Sequence, residues 1–88
     1  MGMTLNEALA AVVDRVRART LYTADIETDH EGVLLVHVNV PMEDHKKLEH
    51  KKTGPVLAAA REAAQEHGFK IAGGRASARG MSLLVEVG

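Results

Sequence analysis

The first part of the chain carries an apolar stripe at helical spacing. Its members recur every three or four residues: Leu5, Leu9, Val12 and Val16. Thr4 precedes the stripe and Glu7 follows three residues later, which is the spacing of a capping box at the start of a helix. The pattern predicts an amphipathic helix over residues 5–19.

The next segment alternates between apolar and polar positions, which is the period of a half-buried strand. Residues 21–40 alternate in this way on both sides of a three-residue loop, His30-Glu31-Gly32, with glycine in the left-handed position. A hairpin with this loop pairs residue 28 with 34, 26 with 36 and 24 with 38 on its apolar face. The same register places Asp25 beside His37 on the other face.

A second helix follows a polar connector. Residues 41–54 contain few apolar positions, and they predict a weak, mostly solvated helix or a connector. Residues 55–67 predict a helix that begins at Pro55 and ends before Gly68, because proline suits the first helical position and glycine the left-handed residue after the last turn. Its apolar face is rich in alanine, which indicates close packing against a sheet or another helix.

The last part of the chain predicts a second hairpin, over residues 69–87. Its strands alternate around two glycine-containing pairs, Gly73-Gly74 and Arg79-Gly80. We interpret the first pair as a bulge and the second as the turn. With this turn, Ala76 lies opposite Leu83.

These elements predict an α+β fold and a single domain over residues 1–88. The order is αββ(α)αββ, in which the bracketed helix is the weak one. The expected architecture is a two-layer α/β sandwich, with helices on one face of a mostly antiparallel four-stranded sheet.

The composition removes several classes of function. The chain has 88 residues, no cysteine, no tryptophan, one tyrosine and one phenylalanine, so it offers no disulfide, thiolate or cysteine metal site. The apolar residues are mostly small, so we expect a thin core that gains stability from a partner subunit. No signal peptide or membrane-length apolar run is present, and we expect a cytoplasmic protein without a membrane partner.

The net charge of −1 hides a segregated distribution. Residues 21–44 carry six acidic residues and no lysine or arginine, whereas the segments on both sides have a positive balance. Asp25, Glu27 and Asp29 share one strand face beside His37. These four residues are the predicted partner-binding site, and the alternative is that they form the solvated face of a two-layer sheet.

Catalysis and metal binding find little support in the sequence. His37 beside Asp25 has the composition of half a catalytic dyad, but its predicted neighbours provide no oriented nucleophile, so we expect no enzyme and no catalytic residues. His45 and His50 lie five residues apart, which points their rings away from each other on a helix, and we expect no metal and no cofactor.

Basic residues provide an alternative function. They lie in the connector and in the second hairpin: Lys46, Lys47, Lys51, Lys52, Arg75 and Arg79. Clustered cations of this kind bind the phosphates of RNA or DNA. The near absence of aromatic residues leaves few platforms on which bases would stack.

The sequence therefore predicts a small non-catalytic protein–protein interaction module of regulatory or accessory type. We expect its partner to be another protein, including a second copy of the chain in a homodimer. The acidic hairpin face and the basic flanks would select that partner. Nucleic-acid binding through the six basic residues is the alternative.

Overall fold

The computed structural model of the protein describes residues 3–41, 54–77 and 79–87. Within these ranges the chain forms the following elements: α1 (Leu5–Arg19), β1 (Thr23–Thr28), β2 (Leu34–Asn39), α2 (Pro55–His67), β3 (Lys70–Ser77) and β4 (Gly80–Glu86). The bracketed helix of the predicted order falls on residues 42–53, which lie outside the described residues, as do the four connector lysines.

The strands form one antiparallel sheet in the order β1-β2-β4-β3. Both described helices pack on one side of this sheet, which confirms the predicted α+β architecture. The core between the two layers is built from small apolar residues: Ala8, Leu9, Val12 and Val16 of α1, Ala24, Val36, Val38 and Leu83 of the sheet, and Val56, Ala59, Ala60, Ala63 and Ala64 of α2. The alanine-rich face of α2 therefore packs closely, as its sequence indicated.

Helix α1 begins with the predicted capping box. The Thr4 N–H donates to Glu7 Oε1 at 3.0 Å, and the Glu7 N–H donates to Thr4 Oγ1 at 3.2 Å. The backbone hydrogen bond from Thr4 also lowers the pKa of the Glu7 carboxyl. These bonds satisfy two of the amide groups that a helix leaves unpaired at its start.

Ion pairs fasten α1 to α2 on their solvent side. Arg15 donates to Glu62 Oε1 at 2.6 Å and also to Glu66, and Arg19 reaches Glu62 at 2.8 Å. The hydrogen bond with Glu66 raises the pKa of Arg15 and lowers that of the Glu66 carboxyl. The two arginines thus contact the second helix, a role that the charge pattern of α1 alone does not reveal.

The first hairpin has the predicted register and loop. Ala24 pairs with Val38, Ile26 with Val36 and Thr28 with Leu34. Gly32 has a φ of 84° and donates its N–H to the Asp29 carbonyl at 3.0 Å. The alternation and the loop chemistry therefore agree, and together they fix which residues face the core.

The predicted register of the second hairpin is wrong by two residues. Ala76 lies opposite Met81 rather than Leu83, because Ser77 pairs with Gly80 and Gly80 is the first residue of β4 rather than part of the turn. The bulge also lies one residue earlier than predicted, between Ile71 and Gly73. A Cβ at Gly80 would lie 2.0 Å from the Val38 carbonyl oxygen, so this glycine allows β4 to approach β2.

Candidate functional site

The side of the sheet that faces away from both described helices presents most of the predicted site residues. We call it the open face, and it consists of Thr23, Asp25 and Glu27 of β1, Leu35, His37 and Asn39 of β2, Ser82 and Leu84 of β4, and Gly73 and Arg75 of β3. These positions alternate with the core residues along each strand, so their side chains project to the other side of the sheet.

One row of residues crosses the middle of the open face. Asp25 pairs with His37, His37 pairs with Ser82, and Ser82 pairs with Arg75, so the four residues lie side by side on the four strands. The sequence predicted the first of these pairs. Ser82 was missed because nothing in the sequence specified that β2 pairs with β4; the only signal was its outward position in the alternation of β4.

His37 is buried although no described helix covers it. Its residue surface is 4% exposed, and among the described residues its Nε2 atom has no hydrogen-bond partner. A buried polar atom without a partner costs about 1–3 kcal/mol. Because the atom has almost no accessible surface, other atoms of the chain enclose it, and a molecule bound on the face does not reach it.

Acidic side chains form the β1 edge of the open face, as predicted. Asp25 is exposed and Glu27 is half-buried. Asp29 follows the end of β1, and its Oδ1 accepts hydrogen bonds from the N–H groups of Glu31 at 2.8 Å and Val33 at 2.9 Å. The bond from Val33 is the main cause of a lowered pKa of Asp29. The Asp29 carboxylate thus organises its own turn, while Asp25 remains directed at solvent.

Basic side chains mark the opposite edge. Arg75 lies on β3 and is exposed, and Arg79 lies in the turn that leads into β4. The Arg79 guanidinium reaches Glu27 Oε2 at 3.5 Å. The backbone of Arg79 lies just past the Asn39–Gly80 pair, on one side of the row that contains His37, and Glu27 lies on the other side. The Arg79 side chain therefore crosses this row diagonally to reach Glu27. The structure therefore brings these two predicted arginines to the same face as the acidic residues.

A groove of about 480 Å³ lies on the open face and continues to the β1–β2 turn. Its apolar part is formed by Leu35 and by Leu84, which is 41% exposed. Ser82, Arg75 and the turn residue Asp29 line its polar part. An exposed apolar centre with charged residues at its margins is the usual composition of a protein-binding surface.

The same row contains the three residue types of a serine-based acyl-transfer site, in the order Asp25, His37, Ser82. That chemistry needs the imidazole to accept the proton of the serine hydroxyl and to be oriented by the carboxylate. Within the described part of the chain, no side-chain hydrogen bond joins His37 to either neighbour. The three residues therefore lie side by side without the hydrogen bonds that this chemistry uses.

Metal binding finds no geometric support in the ranges that the structure describes. No group of three or more histidine and acidic side chains lies close enough there to hold an ion. His45 and His50, which the sequence offered as candidates, lie outside these ranges.

Neither described helix is long and apolar enough to cross a membrane. No family model matches this chain, and neither the curated proteins nor the solved structures contain a significant match to it.

Proposed function

We propose that this chain is a small non-catalytic module of regulatory or accessory type that binds another protein through its open face. One observation carries the proposal: the open face holds a groove in which Leu84 is 41% exposed, with charged residues at its margins. A partner that covers the face would bury Leu35 and Leu84.

The charges around the open face support selection of the partner. Asp25 and Glu27 occupy the β1 edge and Arg75 occupies the β3 edge, while the Arg79 side chain reaches across the face to Glu27. Charged residues at the margin of an interface contribute to specificity and to the rate of association. A partner with a basic surface would be guided toward β1.

Two leucine variants test whether the open face is the binding surface. Leu84→Asp places a carboxylate in the centre of the face, whereas Leu21→Asp makes the same change on the loop between α1 and β1, where Leu21 is fully exposed. We would identify partners by crosslinking in the native host and then measure binding of each purified partner to both variants. We expect Leu84→Asp to weaken binding at least about tenfold, since it buries a charge without a counterion, and Leu21→Asp to leave it unchanged. Equal binding by both variants would contradict the proposal.

RNA or DNA binding is the second candidate function. Arg75 and Arg79 favour it, because both are exposed toward the same side of the sheet. Arg79, however, already contacts Glu27, and Arg75 shares its row with Asp25. A mobility-shift assay with random RNA and DNA at low salt separates the two functions. Retardation that Arg75→Ala together with Arg79→Ala abolishes would favour nucleic acid over a protein partner.

A further inference from the structure

We infer that the partner of the open face is a second copy of this chain, bound face to face about a two-fold axis that runs parallel to the strands, between β2 and β4. This inference rests on the proposed function, since it assumes that the open face binds a protein. It adds the identity of the partner and the pairs of residues that meet.

The positions of the charges select this axis. The acidic residues Asp25 and Glu27 lie on β1, the basic residue Arg75 lies on β3, and these two strands are opposite edges of the sheet. When two such faces meet, an axis parallel to the strands places β1 of one copy over β3 of the other. An axis in the plane of the sheet but perpendicular to the strands would place β1 over β1, and the carboxylates would repel each other.

The central row is complementary to itself under this operation. Asp25 of one copy meets Arg75 of the other, and His37 meets Ser82. The backbones of Asp25 and Arg75 in one chain are three strand spacings apart, about 14 Å, and no ion pair joins them within the described residues.

The neighbouring row is complementary as well. Leu35 and Leu84 lie next to the paired residues Val36 and Leu83, so the axis brings Leu35 of one copy over Leu84 of the other. Glu27, which contacts Arg79 of its own chain at 3.5 Å, lies over Gly73 of the other copy. The apolar contact thus forms beside the central row, and the Glu27–Arg79 pair lies over a residue without a side chain.

The area of the open face limits the affinity that we expect for the dimer. Four strands at about 4.8 Å and six residues at about 3.4 Å give a patch about 19 Å wide and about 20 Å long. Such a patch, about 380 Å² on each copy, is smaller than a standard specific interface, which favours a weak and reversible dimer.

Charge-reversal variants test the axis directly. Asp25→Arg leaves only cations at the two facing positions, and Arg75→Glu leaves only carboxylates. We expect each variant alone to have a dissociation constant at least about tenfold higher than the wild type. An equimolar mixture should associate as a heterodimer, because the introduced arginine of one copy then meets the introduced glutamate of the other, while the remaining Asp25 and Arg75 still pair. The double variant should dimerise like the wild type.

Sedimentation equilibrium at low salt, with protein concentrations from about 5 μM to about 1 mM, measures the dimer dissociation constants of the wild type, the variants and the mixture. Variants that self-associate like the wild type, or a mixture that stays monomeric while the wild type dimerises, would overturn the inference. Association in the mixture also shows that each single variant is folded.

A monomeric wild type throughout this range would overturn the dimer as well. The proposed function would then be judged separately by the Leu84→Asp experiment. If a different protein then binds the wild type but not Leu84→Asp, the open face is still a docking surface. If the wild type is monomeric and Leu84→Asp binds its partners normally, both proposals are rejected.

Discussion

The carboxylates of the first hairpin have different partners although their residues are close in sequence. Asp29 accepts two backbone N–H groups of its own turn, and Glu27 meets the guanidinium of Arg79 at 3.5 Å. Asp25 has neither contact and remains exposed beside His37. Of the three predicted acidic residues, Asp25 is therefore the one most available to a partner.

Replacement of Asp29 should change the pH dependence of stability. Its pKa is lowered below the ordinary value of 3.8, mainly by the hydrogen bond from Val33, so the ionised carboxylate stabilises the folded state. The contribution is complete above the ordinary pKa and is lost as the pH falls through the lowered value. We expect Asp29→Ala to melt at a lower temperature than the wild type near neutral pH, with the difference shrinking toward about pH 2.

Thermal unfolding followed by circular dichroism measures this difference. Asp14→Ala, on the exposed face of α1, is the matched control. A difference between wild type and Asp29→Ala that stayed constant across the pH range would show that the carboxylate charge does not stabilise the turn.

His37 should limit the stability of the isolated chain. Because its Nε2 is buried without a partner, His37→Leu should raise the free energy of unfolding by about 1 kcal/mol. The control is His30→Leu, since His30 is exposed in the hairpin loop and its removal should have little effect. Urea unfolding at low protein concentration and high salt, where the monomer predominates, provides both values. A clear loss of stability in His37→Leu would mean that the imidazole is already satisfied in the single chain.

At the scale of elements, the contact between β2 and β4 depends on a glycine. Gly80 has a φ of 141°, and a Cβ there would lie 2.0 Å from the Val38 carbonyl oxygen. Gly80→Ala should therefore destabilise the fold by about 2–3 kcal/mol or more, since it combines a strained backbone with a backbone clash. Gly73→Ala is the control, because Gly73 has open space around it and should lose less than about 1 kcal/mol. Similar losses in both variants would indicate that the close approach at Gly80 is not maintained in solution.

The same glycine shows how far the sequence determines the fold and the site. Alternation and the His30-Glu31-Gly32 loop specify the first hairpin, so the pair of Asp25 and His37 was predictable. The second hairpin contains several glycines, and each of them is compatible with either a turn or a bulge. The local sequence therefore does not specify which residues of β3 and β4 pair. Its register depends on where Gly80 meets Val38, a long-range contact. Ser82 and Arg75 could therefore not be placed beside His37 from the sequence.

At the scale of the whole molecule, the near-neutral charge results from opposite charges that the fold arranges at opposite edges of one face. The acidic β1 and the basic β3 are separated in the sheet by β2 and β4. Both described helices cover the other side, where the core consists largely of valine and alanine. The core is thin, and neither described helix covers this face of the sheet. Dimerisation through it would stabilise the fold, because it would bury area on the second side of the sheet.

If the open face joins two copies, the thermal stability of the protein should depend on its concentration. Binding that favours the folded state adds about 1 kcal/mol once the concentration is several times the dissociation constant. For a domain of this size that free energy raises the melting temperature by about 4–8 °C. We expect such a rise for the wild type between about 10 μM and about 1 mM in scanning calorimetry. Arg75→Glu should show a smaller rise over the same range, because its charges weaken self-association. A wild type whose melting temperature did not change with concentration would show that folding and self-association are not linked.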